Sequence, residues 1–115
     1  MNINDLDEFF TFMMSKYDQA LETDRERALS RIVRLQEELG ELAEQTFCKI
    51  GVGRKEKIDS YTQDALEKEF GDVFISLMAF AKVLKIKPDE AIAKTLDKVA
   101  DRCGYENKHH WKLEK

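Results

Sequence analysis

Apolar residues recur at three- and four-residue intervals in four stretches of this chain, and each stretch predicts a helix. Between Asp5 and Tyr17 the residues Leu6, Phe9, Phe10, Met13 and Tyr17 mark a first, short helix. A second is expected from Thr23, where Thr23-Asp24-Arg25-Glu26 forms a capping-box pattern. It runs through Ile32, Leu35, Leu39, Leu42 and Thr46 to about Cys48, and Gly51 and Gly53 break it. The polar, basic stretch GVGRKEKIDSYT leads to a third helix, with Ser60-Tyr61-Thr62-Gln63 reading as a second capping box. Leu66, Phe70, Val73, Phe74, Leu77, Met78, Ala81 and Leu84 give that helix an apolar face broad enough for two neighbours. Pro88 stands where a first-turn proline belongs. Ile92, Leu96, Val99 and Cys103 are the expected buried positions of a fourth helix, which Gly104 stops. Residues 105–115 form a polar tail with one large anchor, Trp111.

Composition supports the helical reading. A single proline and five glycines leave little room for strands and turns, so an all-α bundle of about four helices is expected. At 115 residues the chain makes one domain, 1–115, with no internal repeat or low-complexity segment. A domain this short buries a modest core alone, so pairing with a second copy is expected. Phe9, Phe10, Phe12, Met13 and Met14 exceed what one core face needs, and part of that stripe is assigned to a partner chain. No apolar run reaches the roughly 18–20 residues of a membrane span, and MNINDLDEFF lacks the features of a secretory signal. Cys48 and Cys103 stand apart from any C-x-x-C spacing and read as reduced small hydrophobes of a cytoplasmic protein. With 19 basic and 23 acidic side chains the net charge is −4, which argues against a stable duplex nucleic-acid partner. It leaves room for an anionic small molecule, because a divalent cation can reverse the local sign.

The acids add the chemistry. In LQEELGELAEQTF, residues 35–47, Glu38 and Glu41 are three apart and share a helix face beside the apolar stripe. Glu69 and Asp72 repeat that arrangement on the next long helix. If the two helices form an antiparallel hairpin, the pairs face each other across its seam. Four converging carboxylates repel unless they are protonated or neutralised by cations. Hard oxygen donors in that number suit Mg²⁺ or Mn²⁺. One E-x-x-E alone is ordinarily a solvated helix face; two, each adjoining a core stripe, carry more weight. Gly40 and Gly71 stand inside helices beside these acids, where glycine costs about 1 kcal/mol relative to alanine. They suggest close helix approach or room for a ligand.

The segments EELGELAE and LEKEFGDVFISLMAFAKVLKI resemble the MazG-like, all-α nucleoside triphosphate pyrophosphohydrolases. The shared pattern is E-E-x-x-E followed by E-x-x-D, here Glu37-Glu38-Leu39-Gly40-Glu41 and Glu69-Phe70-Gly71-Asp72, within a likeness covering about residues 25–103. The resemblance implies a helical bundle completed by a neighbouring chain, as a homodimer or homotetramer. It implies Mg²⁺-dependent hydrolysis of a nucleoside triphosphate between the α and β phosphates, giving a monophosphate and pyrophosphate. By resemblance Glu38, Glu41, Glu69 and Asp72 bind the metal, and Glu38 or Glu41 orients or deprotonates water. Glu37 matches the other member of the doublet. Lys94, Lys98 and Arg102, four apart down one face of the last helix, match the family's cations for the leaving pyrophosphate, against the alternative of ordinary surface pairing. Phe47 stands near an aromatic that relatives place beside the base; the alternative is a core residue ending the second helix. Relatives specific for dUTP or dCTP carry an asparagine on the last helix. None occurs here between Asp5 and Tyr105, Lys98 taking the place, which leaves base and sugar choice open.

Two other signals carry less. Gly51-Val52-Gly53-Arg54-Lys55 lacks the spacing of a phosphate loop and any preceding strand, although Arg54, Lys55 and Lys57 can reach phosphates from the connection. His109-His110 lies in the tail with no Cys or second His pair to complete a zinc set. Competing readings are a hydrolase of another pyrophosphate-containing molecule, such as a phosphoribosyl nucleotide, and a non-enzymatic helical oligomerisation module.

Overall fold

A computed structural model describes residues 1–106; His109, His110 and Trp111 lie outside the described residues. A 3-10 turn, Ile3–Leu6, leads into α1, Asp7–Tyr17. Then follow α2, Asp24–Lys49, a short α3, Lys55–Asp59, α4, Gln63–Val83, and α5, Pro88–Cys103. No strand occurs among the described residues. The all-α expectation holds, and α3 is an addition to it.

Helix ends follow the local chemistry. The Thr23 hydroxyl accepts the Glu26 N–H at 3.1 Å and donates to Glu26 Oε1 at 3.0 Å, so Thr23 caps α2 and Glu26 returns to its hydroxyl. At α4 the expected cap moves by two residues. Thr62, not Ser60, accepts the Ala65 N–H at 3.1 Å, while the Ser60 hydroxyl donates to the Lys57 carbonyl and closes α3. Three helices end in the same six-residue hydrogen-bonded turn: Val52 to Phe47 after α2, Ile86 to Ala81 after α4, Tyr105 to Ala100 after α5. The left-handed residue in the turn is Gly51 in the first and Gly104 in the last, but Lys85, at φ 58°, in the middle one.

The long helices α2 and α4 form the hairpin around which the rest is arranged. The Lys49 ammonium donates to Gln63 Oε1 at 2.9 Å where α2 ends and α4 begins, which sets the pair antiparallel. Helix α3 lies against α2, with Lys57 paired to Glu44. Helix α4 also packs on α1, giving it two neighbours, and there Phe10, Met78 and Ala79 form a small core with Leu6, Met13, Met14, Phe74 and Ile75 around it. Phe9 and Phe12 remain on the exposed side of α1. Both cysteines are free, Cys48 buried and Cys103 exposed.

Helix α5 departs from expectation. Ile92, Leu96 and Val99 are 43%, 37% and 48% exposed, and Cys103 is exposed too, whereas Ala100 is buried. The reason is placement: the principal neighbour of α5 is the N-terminal 3-10 turn, not the α2/α4 hairpin. The radius of gyration, 17.4 Å, exceeds the roughly 13 Å of a compact chain of this length. One chain alone does not cover its own apolar stripes. Among the described residues, no helix is long and apolar enough to cross a membrane.

Candidate metal centre

The seam of the hairpin is polar along its middle. Arg31, Glu38 and Gln45 are seven apart on α2, so they share a face. Arg31 is buried and the other two are half-buried, while Leu29, Val33, Leu39 and Phe47 are left exposed. Of the stripe that periodicity predicts, Ile32, Leu35 and Leu42 are half-buried and Leu39 and Thr46 are exposed, so the contact face is turned part of the way toward the row of Arg31, Glu38 and Gln45.

There Glu38, Glu41 and Glu69 converge, each offering a carboxylate oxygen within 4.8 Å of the others. Glu38 and Glu69 are half-buried and Glu41 is exposed. Burial, followed by the charge of Glu41, pushes the carboxyls of both Glu38 and Glu69 above their ordinary range, and Asp72 adds to each. Asp72 is exposed and acts on the cluster through its charge, outside the 4.8 Å group. Glu37 does not join; it pairs loosely with Arg34 at 3.7 Å on the outer side of α2.

The donor set fits a hard cation. Glu38 Oε2 and Glu69 Oε2 are shut from solvent without a hydrogen-bond partner, and so is Gln45 Oε1. Unmet acceptors beside a third carboxylate are a costly arrangement for the protein alone. A divalent ion with oxygen preference would satisfy them.

The glycines have a different meaning from close helix approach. A side-chain carbon built at Gly40 or Gly71 meets nothing within 4 Å, so neither allows two helices of this chain to come nearer. What they leave beside the acids is room.

The remaining candidates are not gathered at the seam. Phe47 is nine residues beyond Glu38, two and a half turns, which puts it on the opposite side of α2 and about 13 Å along the axis. Its ring is half exposed, so it is not a core residue of this chain either. Lys94, Lys98 and Arg102 lie on exposed positions of α5, which does not line the seam. Among the cations of the α2–α4 connection, Lys57 is tied to Glu44, next to the acid row, while Arg54 and Lys55 are exposed.

Asp18, Arg31 and Gln45 were not singled out by sequence reasoning. Arg31 Nη2 donates to Asp18 Oδ1 at 2.5 Å, with side chains 10% and 9% exposed. The spacing of seven residues either side of Glu38 was the available signal for Arg31 and Gln45. Asp18 had none, since it reaches Arg31 across the corner between α1 and α2.

No curated protein and no solved structure matches the chain. The sequence profile of the MazG nucleotide pyrophosphohydrolase domain matches residues 26–105, a span from the first turn of α2 to the residue after Gly104. That span holds both acid pairs and most of the chain, and this protein belongs to the MazG nucleotide pyrophosphohydrolase family.

Proposed function

We propose that this protein hydrolyses nucleoside triphosphates between the α and β phosphates in a Mg²⁺-dependent reaction, with Mn²⁺ as a substitute. The observation that carries the reading is the meeting of Glu38, Glu41 and Glu69 with two buried carboxylate oxygens left unmet, in a chain of this family. Glu38, Glu41 and Glu69 would hold the cation, and Asp72 adds negative charge from α4. When bound, the cation supplies neutralisation of phosphate charge and a more acidic water.

The chain's own residues do the rest. The half-buried Glu38 fixes one wall of the site, and the exposed Glu41 is the acid of the three most open to solvent. In that position Glu41, or Glu38 beside it, orients the attacking water and takes its proton. The water oxygen bonds to the α-phosphorus as the bond to the bridging oxygen breaks, and pyrophosphate leaves. Lys94, Lys98 and Arg102 are assigned to the leaving pyrophosphate, and Phe47 to substrate binding, in an assembled homodimer or homotetramer. The uncovered stripes on α2 and α5 support such an assembly.

A screen of common and damaged NTPs and dNTPs with Mg²⁺, detecting pyrophosphate and monophosphate separately, tests this. Equal release of both from at least one substrate is the expected result. Turnover of phosphoribosyl nucleotides alone would move the activity to another pyrophosphate-containing substrate. No turnover with any of them would leave a helical oligomerisation module.

A further inference from the structure

We infer that a small cavity beside Glu38, floored by the Asp18–Arg31 ion pair, selects the base of the substrate. This rests on reading the acid seam as the phosphate end of the site. The cavity has a volume of about 190 Å³ and lies between α1, α2 and α4. Glu38 belongs to both the cavity lining and the acid cluster, so the two adjoin at that side chain. Arg31, two turns from Glu38, lies about 10 Å along α2, at the far end of this groove. Whole-ligand pockets begin near 300 Å³, so this one takes a ring and not an entire nucleotide. A nucleotide with its phosphates at the acids, extended along the groove, lays its base toward Arg31.

The lining suits a base. Met13 and Ile75 supply apolar walls, and Tyr17 brings an aromatic ring for stacking. At the polar end, Asp18 and Arg31 are joined by one hydrogen bond and are about nine-tenths buried. Asp18 Oδ2 and Arg31 Nε have no partner. A buried ion pair with half its bonding unused is a poor way to stabilise a fold, since apolar residues of similar volume do as well or better. Its spare acceptor and spare donor match the edge of a nucleobase, where donors and acceptors adjoin. Both atoms are shut from solvent, so engaging a base takes a shift of Asp18. Asp18 caps the C-terminus of α1 through its backbone N–H, bonded to the Met14 carbonyl at 2.9 Å, so the shift required is a rotation of its side chain alone.

Calorimetric titration of nucleoside monophosphates carrying each base, in Mg²⁺, reads this directly, with inorganic tripolyphosphate as a probe lacking a base. Wild type should prefer one base by about tenfold or more, as sites that hydrogen-bond their ligand do. Asp18→Asn and Arg31→Lys should each reduce that preference to about threefold or less, with tripolyphosphate binding unchanged. Ser30→Leu fills the cavity from α2 while keeping both members of the pair, and it should abolish the preference if the pair variants do not fold. No base preference in wild type, or a preference that survives these variants, overturns the inference. Failure of the phosphohydrolase reading shows separately, as a lack of pyrophosphate from any triphosphate despite selective monophosphate binding.

Discussion

At the scale of single residues, Glu38 concentrates the consequences. It borders the acid cluster and the cavity, and its carboxyl is raised by burial first and by Glu41 next. Glu38→Gln keeps the volume and removes the charge, so metal-free protein should melt higher. Pyrophosphate release should fall about 10²-fold or more in steady-state assays, since the variant loses a charged ligand. The same shifts set a pH dependence. Because Glu38 and Glu69 hold protons more tightly folded than unfolded, the native state binds more protons between the unfolded and folded pKa values. Their cost is absent below the unfolded value and complete above the folded one, so their part of the stability of metal-free protein declines as pH rises through that window. Melts from pH 4 to 8 without metal should show the decline, and Glu38→Gln should shrink it. Mg²⁺ at saturation should oppose it, because the cation replaces the missing protons.

At the scale of the elements, register decided what could be read in advance. Glu38 with Glu41, and Glu69 with Asp72, were legible because three-residue spacing fixes a shared face whatever the helix packs against. The rotation of α2 was not legible. Its leucines suggest a face through Leu39; the structure half-buries Ile32, Leu35 and Leu42 but exposes Leu39, and buries Arg31 and half-buries Glu38 and Gln45 beside them. Helix α3 escaped for a simpler reason, since five residues are too few to show a period. The turn after α4 offers a separate test. Lys85 occupies the left-handed position that Gly51 and Gly104 fill elsewhere, and a side-chain carbon there costs about 1 kcal/mol. Lys85→Gly should therefore raise stability by about that amount in denaturant titration. No gain would mean that Lys85 makes up the cost elsewhere.

At the scale of the whole molecule, the apolar surface outruns the core. Phe9 and Phe12 on α1, Leu39 and Phe47 on α2, Phe70 on α4 and Leu96 on α5 are all exposed in the single chain. Patches of this kind mark protein–protein contacts. Sedimentation at tens of micromolar should give a dimer or tetramer and not the 13.4 kDa monomer. Leu96→Asp should shift the distribution toward monomer if α5 lies in the contact, because a buried unpaired charge is strongly unfavourable there. The slender attachment of α5 to the N-terminal turn has a consequence for backbone dynamics. Amide protons held by the α2/α4 pairing should exchange slowly at any protein concentration. Those of α5 should exchange quickly in dilute solution and slow down as concentration rises, so that deuterium uptake by this one helix reports the assembly of the whole.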